Sequence, residues 1–179
     1  MGFQDRKDFP GVPLKSSDLK EGKVLFEEWH PKAKYAWDTG VAIGKFLQGL
    51  KEGKLLGRKC RECGRVMIPP RMFCEWCFRE TDEWVELQDT GRVNTFSISF
   101  VDRDVNRIEK PLVPAVIEID GASPGMGILH LLGEVGETKE EILQKVHVGL
   151  RVQAVWKPAE EREGAITDIL YFKPLEGKA

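Results

Sequence analysis

The chain has 179 residues, enough for one domain or two small ones. It is 41% hydrophobic and 31% charged, an ordinary globular composition that argues against global disorder. Its 27 Lys and Arg against 29 Asp and Glu leave a formal net charge of −2, so it lacks the positive excess of a typical polyanion binder.

No apolar run approaches the ~18 residues needed to span a bilayer. The opening MGFQDRKDFP has no apolar core of an export signal, and Arg6 stands where a myristoylation signal has Ser or Thr. A soluble cytoplasmic protein is expected, without membrane association. Residues 1–53 are read as an N-terminal arm and helix. Pro10, Pro13, Ser16 and Ser17 give an irregular stretch, and Lys23 to Trp29 a short helix. Trp29, Tyr35 and Trp37 are a dense aromatic group that can pack on the body of the chain or anchor a partner. Asp38 and Thr39 read as an N-cap. Val41, Ile43, Phe46, Leu47 and Leu50 then fall near helical spacing, and Gly53 closes the helix. That stripe is a core face or a partner contact.

Residues 54–88 read as a metal lobe. All four cysteines of the chain lie here, as Cys60-x-x-Cys63 and Cys74-x-x-Cys77. Two such pairs supply four thiolates in a tetrahedral array, which suits zinc. Disulfides are disfavoured in a chain without an export signal, and a redox pair would need only one of the two motifs. A rubredoxin-like iron site uses the same four thiolates, and spacing does not separate it from zinc. A closed four-thiolate site leaves no open coordination position, so its role is structural. Gly64 can take the positive φ that tightens the first knuckle. Phe78 occupies the equivalent place in the second, whose turn must differ or be strained. KLLGRKC and GRVMIPP look like strands flanking the first knuckle, with Pro69 and Pro70 ending the second of them.

Charge is uneven across this lobe. From Lys51 to Arg71 there are seven basic and two acidic residues, and from Glu75 to Asp89 six acidic and one basic. The basic half can offset thiolate charge or meet phosphates, from a nucleotide-bearing cofactor or from RNA. Arg71, held after Pro69-Pro70, is the most restricted candidate.

Residues 89–179 are patterned as strands. Phe96, Ile98 and Phe100 alternate with polar residues, and VPAVIEID and MGILHLLGE follow. Thr138 and Glu141 have capping-box spacing ahead of the short helix EEILQKV. VGLRVQAVW, with Val148, Leu150, Val152, Ala154 and Trp156 on one face, and ITDILYFKP complete the set. Three strands, a helix and two strands is the order of a five-stranded OB barrel, with an SH3-like barrel or small sandwich as alternatives. The expected class is mainly β: a helical arm, a zinc ribbon, and a C-terminal OB barrel with its helix between strands three and four.

With the cysteines assigned to metal, no nucleophilic thiol remains, and there is no Gly-x-Ser-x-Gly elbow, P-loop or dinucleotide fingerprint. His130, within ILHLL, reads as a satisfied or edge-facing strand residue. His147 lies just after a helix, and His30 cannot be placed. No catalytic residue is assigned. A nucleic-acid-binding module remains an alternative, because OB folds and zinc ribbons both do that work.

The string EGKLLGRKCRECGRVMIPPRMFCEWC, followed by a five-stranded barrel, resembles an acyl-CoA-associated family, formerly a domain of unknown function, that joins a rubredoxin-like zinc ribbon to an OB fold. Glu83-Trp84-Val85 and Gly91-Arg92-Val93 also look like that family. Glu75 stands where the family often has proline, and Phe78 where glycine is common. The resemblance implies a small, non-catalytic subunit that docks on a thiolase-fold enzyme in a hetero-oligomer and helps to shape its CoA-thioester site. It implies zinc at Cys60, Cys63, Cys74 and Cys77, and the phosphate for which Arg71 is read above as the candidate is then that of CoA. One class of such subunits serves a thiolase of anaerobic aromatic breakdown acting on an aryl-ketoacyl-CoA (benzoylsuccinyl-CoA), and the aromatic arm is compatible with that class.

Overall fold

The computed structural model describes residues 15–25, 27, 35–102 and 104–175. The chain divides into two units, Met1–Trp37 and Asp38–Ala179. In the first unit, α1 (Ser16–Lys20) forms where an irregular stretch is expected. The expected helix from Lys23 is not seen at residues 23–25, and Phe26, Glu28, Trp29 and His30 lie outside the described residues. Tyr35 and Trp37 are exposed, with ring centroids 6.3 Å apart.

The second unit opens with α2 (Gly40–Lys51). Asp38 performs the cap, its Oδ1 accepting the Gly40 N–H at 2.9 Å. The buried face is Ala42, Phe46, Gly49 and Leu50, and Val41 is exposed. The reason lies at Gly49, where a Cβ would meet Leu56 at 2.8 Å. The helix turns its smallest residues toward the neighbouring strand, and Val41 is carried outward. Gly53 takes φ +77 and ends the helix, its N–H bonding the Leu50 carbonyl at 2.9 Å.

A three-stranded antiparallel sheet follows, ordered β2-β1-β3, from β1 (Leu55–Lys59), β2 (Val66–Met67) and β3 (Glu83–Leu87). The last strand is an addition to the two that the sequence pattern marks. The barrel closes in the order β4-β8-β9-β7-β6-β4, through β4 (Thr90–Phe96), β6 (Arg107–Ile119), β7 (Gly127–Leu132), β8 (Arg151–Trp156) and β9 (Ile169–Pro174). Neighbours are antiparallel except β7 and β9. Between β7 and β8 lies α3 (Lys139–Lys145), entered through the expected capping box, with Glu141 N–H on Thr138 Oγ1 at 3.3 Å. It buries Ile142 and, just beyond its end, Val146. This is the five-stranded, OB-like architecture.

Three departures from the sequence reading have local causes. The alternating run from Phe96 to Phe100 is not one strand. It breaks after Phe96, and β5 (Ser99–Val101) instead pairs with the start of β6 in a hairpin outside the closed barrel. The Asp102 carboxylate fastens the hairpin tip by accepting the N–H groups of Asp104 and Asn106, each at 2.9 Å. Val148 is exposed, because β8 begins only at Arg151. Residues Ile166–Asp168 form a 3-10 turn rather than the start of β9.

That turn exists to serve a carboxylate. Asp168 is fully buried and accepts backbone N–H groups from Glu163 (3.0 Å), Gly164 (2.7 Å) and Ala165 (3.0 Å), with Lys157 Nζ at 4.0 Å. Burial alone would raise its pKa, but the three donors and the lysine outweigh it and hold the carboxyl below its usual range. The loop so fixed lies against α2: Gly164 approaches the Leu47 carbonyl, and Arg162 covers Gly53. One core joins Phe46 and Leu50 of α2, Leu55, Met67, Ile68 and Leu87 of the ribbon, and the barrel interior around Ile117, Val152 and Phe172. Among the described residues no helix is long and apolar enough to cross a membrane.

Because the native Asp168 pKa is depressed, its contribution is complete above the unfolded value near ~4 and fades as pH falls through the native one. Asp168→Asn is expected to cost about 2–3 kcal/mol at pH 7. Urea titrations from pH 7 to pH 2 should show its gap to wild type shrinking below about pH 4.

Candidate metal centre

The two Cys-x-x-Cys turns are built alike. In the first, Cys60 N–H bonds the Arg65 carbonyl at 2.9 Å, and Gly64 N–H bonds the Cys60 carbonyl at 2.8 Å. In the second, Cys74 N–H bonds the Arg79 carbonyl at 2.9 Å, and Phe78 N–H bonds the Cys74 carbonyl at 2.9 Å. Gly64 has φ +74 and Phe78 has φ +52. The second turn thus keeps the geometry of the first and accepts a left-handed phenylalanine to do so. For a non-glycine residue that conformation costs roughly 1–2 kcal/mol.

These turns bring the four Sγ atoms within 4.8 Å of one another, with Cys63 and Cys74 at 3.6 Å. Zinc–thiolate bonds of about 2.3 Å place tetrahedral sulfurs about 3.8 Å apart. The four cysteines are arranged to bind a metal and fit zinc in donor number, softness and spacing. Cys60 and Cys74 are buried, Cys77 half-buried and Cys63 exposed.

The thiols cannot all ionise unaided. Cys74 is burdened by burial, yet the backbone N–H groups of Cys77 and Trp76 bring it down to about 7. Its neighbours then carry the cost. The Arg65 N–H favours the Cys63 thiolate, but burial and the nearby sulfurs raise that group overall. Cys77, bonded to Cys63 and buried beside the other sulfurs, is pushed up to about 12. A divalent cation reverses this ordering, because each sulfur then faces a positive charge.

A second set of contacts, which the sequence reading missed, ties the knuckles together. Arg65 of the first reaches Glu75 of the second, Nε to Oε1 at 2.9 Å, and its guanidinium lies 4.1 Å from the Trp76 ring centroid. Arg79 of the second returns to Glu62 of the first at 2.7 Å. The signal was present in the near-repeat CRECGR and CEWCFR, each ending in the arginine that crosses to the other turn. Arg71, the residue read as a phosphate ligand, sits beside the site with its Nη1 3.5 Å from Glu75 Oε2 and about half its side chain exposed. The Glu75 amide N–H and both arginines outweigh burial and hold its carboxyl below the usual range. The basic half of the lobe is answered in part by the acidic half. Lys54 pairs with Glu86, and Arg58 is buried with Nε on Thr81 Oγ1 at 2.6 Å.

The remaining candidates stay apart from the sulfurs. His130 stacks edge-on with Phe172 at 5.8 Å and lies 3.3 Å from the Ile166 carbonyl, the satisfied strand role expected of it. His147 accepts, through its carbonyl, the Leu150 N–H. A cavity of about 530 Å³ between ribbon and barrel is lined by Lys54, Glu86, Asp89 and neighbours, and an apolar groove of about 560 Å³ runs along Leu129, Leu131, Ile166 and Leu170. Neither includes a cysteine.

Comparison with known proteins fits this geometry. The model of the ChsH2 rubredoxin-like zinc ribbon domain matches residues 47–83, and that of the ChsH2 C-terminal OB-fold domain matches residues 84–157. A DUF35 domain-containing scaffold protein of Methanocaldococcus jannaschii is 32% identical over 125 residues, covering 68% of this chain and 82% of that protein. This chain belongs to the DUF35 family. A second DUF35 domain-containing scaffold protein, from Methanothermobacter thermautotrophicus, is 24% identical over 67% of this chain and 86% of its own length. The crystal structure of a DUF35 protein of unknown function from Sulfolobus solfataricus superposes with a TM-score of 0.52 at 30% identity, covering 65% of this chain and 79% of that one. The solved Ltp2-ChsH2(DUF35) aldolase gives 0.53 at 22% identity over 79% and 98%, a likeness of fold.

Phe78→Gly should retain the metal and raise stability by about 1 kcal/mol, read as a gain of about 2–4 °C in a thermal melt. Chelation should strip amide-exchange protection from residues 55–87 and spare the β6–β7 ladder, since the ribbon's own apolar core is too small to hold it. Metal analysis of the starting material should return one zinc per chain, with no visible absorbance of an iron–thiolate site.

Proposed function

We propose that this DUF35 chain is the non-catalytic zinc subunit of a cytoplasmic, thiolase-type acyl-CoA enzyme complex, where it supports assembly and shapes the CoA-thioester site. The observation that carries the reading is the closed cluster of Cys60, Cys63, Cys74 and Cys77. It takes every cysteine of the chain into one metal site with no vacant ligand position, so the acyl-transfer thiol must come from a partner. Zinc bound there supplies only cross-linking of the two knuckles. Homologous chains called scaffold proteins support the accessory role. The finer form of the reading is a thiolase acting on an aryl-ketoacyl-CoA in aromatic breakdown.

Within the complex, Arg71 is the residue offered to a CoA phosphate. Its bond to Glu75 is long and uses one nitrogen, which leaves guanidinium donors for one anionic group.

Co-expression with a thiolase-fold enzyme of the same organism should yield a stable complex with thiolysis activity that neither chain has in full alone. Isolated zinc-loaded chain should show no turnover of acyl-CoA. In the complex, Arg71→Ala should raise KM for CoA about three- to tenfold with little change in kcat, the size expected for one charge-assisted phosphate contact. Failure of the two chains to co-purify, with no change in thiolysis rate, defeats the reading.

A further inference from the structure

We propose that the tip of the second knuckle, carrying Met72, Phe73, Trp76 and Phe78, is the face by which this chain docks on its enzyme partner, its aromatic side chains entering an apolar, uncharged cleft of that protein. The inference rests on the accessory-subunit reading above and names the surface that makes the contact.

Phe78 is the starting point. It holds a left-handed φ of +52 that glycine adopts freely, and its side chain is 88% exposed. The knuckle needs that φ, but the bulky side chain that makes it costly packs against almost nothing within this chain, which points to a use for the side chain outside it. Three more large apolar side chains stand nearby in sequence: Trp76 at 65% exposure, Phe73 at 58% and Met72 at 37%. All are mounted on fixed backbone. The Arg65 guanidinium stacks on Trp76. Phe73 is bridged to Glu80, and the Met72 carbonyl accepts the Thr81 N–H at 2.8 Å. A preformed surface of this kind loses little entropy on binding, and Trp, Phe and Met beside arginines is a composition enriched in protein interfaces.

Charge selects the occupant. Exposed aromatics beside arginines can also stack nucleic-acid bases. Here Arg65 and Arg71 face Glu75, and Arg79 faces Glu62. A four-thiolate zinc site adds a formal −2. Arg65, Arg71 and Arg79 thus have glutamate partners, and the formal −2 outweighs the one further knuckle arginine, Arg61, so no positive excess is left for a polyanion. A charge-neutral, aromatic tip is complementary to a neutral, apolar cleft.

The test uses full-length, zinc-loaded chain titrated into the thiolase-fold subunit recovered above. Phe78→Gly should bind at least tenfold more weakly while melting at a higher temperature than wild type with unchanged zinc content. A merely structural role would move both readouts the same way. Phe73→Ser should also bind at least tenfold more weakly, and Leu129→Ser, on the barrel groove, should bind within twofold of wild type. Wild-type affinity for Phe78→Gly and Phe73→Ser overturns the docking face and leaves the subunit reading standing. So does a tenfold loss confined to Leu129→Ser. Tight, salt-sensitive binding of a single-stranded uridine 20-mer that Phe78→Gly abolishes overturns it in favour of RNA. Absence of any complex with the wild-type chain overturns both readings together.

Discussion

Four sulfurs held within 4.8 Å of one another set the terms for the ribbon. Backbone donors favour one thiolate, at Cys74. Cys77, hydrogen-bonded to Cys63 and desolvated beside the other sulfurs, is pushed up to about 12 and keeps its proton. The polypeptide alone therefore gathers four sulfurs while opposing the full ionisation that metal ligation requires. A divalent cation resolves the conflict, and the reciprocal Arg65–Glu75 and Arg79–Glu62 pairs brace the arrangement from outside. Arg79–Glu62 is exposed and contributes little alone. Arg65 is nearly buried and stacked, so its charge is shielded from solvent and its contact with Glu75 counts for more.

The ribbon is attached to the barrel at several points. Val66 and Ser123 exchange backbone and side-chain hydrogen bonds at 2.9–3.0 Å, and Leu55, Met67, Ile68 and Leu87 enter the same core as the barrel interior. On the other side, the Asp168 loop fixes α2. The barrel needs its own tolerances for this. Gly91 and Gly127 flank β6 so closely that a Cβ at either would run into a carbonyl of that strand, that of Glu118 or Ile117. Arg151 then locks the β6–β7 turn by a bidentate bond to Asp120, at 2.7 and 2.6 Å. Stability here comes from a shared core and a few buried or half-buried carboxylates, each held ionised by identifiable donors.

The four ligands and the strand–helix–strand order of the barrel were legible in the sequence because their causes are local. Metal ligation demands particular residue types at short spacing, and half-buried strands demand a period of two. The β5–β6 hairpin was hidden because alternation from Phe96 to Phe100 runs unbroken across the point where the chain leaves the barrel. Which part of the α2 stripe is buried was not legible, because a hydrophobic count ignores Gly49, whose lack of a side chain lets that face meet Leu56 and leaves Val41 outside. The start of β9 was displaced by a local side-chain-to-backbone demand, the Asp168 carboxylate gathering the N–H groups of Glu163, Gly164 and Ala165, which the apolar pattern does not register. The strain at Phe78 was visible as a dilemma, a bulky residue at a glycine position, and only the backbone shows it settled by a positive φ rather than a different turn.

The net charge of −2 misrepresents the molecule in the same way. Seven basic and six acidic residues segregate along the metal lobe in sequence, and folding brings several of them together: Arg65 and Arg71 at Glu75, and Lys54 at Glu86. Pairing at a few ångströms cancels much of the field that unpaired charges would project over a Debye length of about 8 Å. A surface so neutralised cannot steer a charged partner from a distance, and its encounters are governed by shape and apolar contact. That suits the docking proposed above, in which recognition rests on slow dissociation from aromatic anchors more than on fast, salt-dependent capture. In this light Glu75 and Phe78 of the second knuckle act together. Glu75 draws in the arginines that neutralise the tip, and Phe78 sets a large apolar side chain upon it.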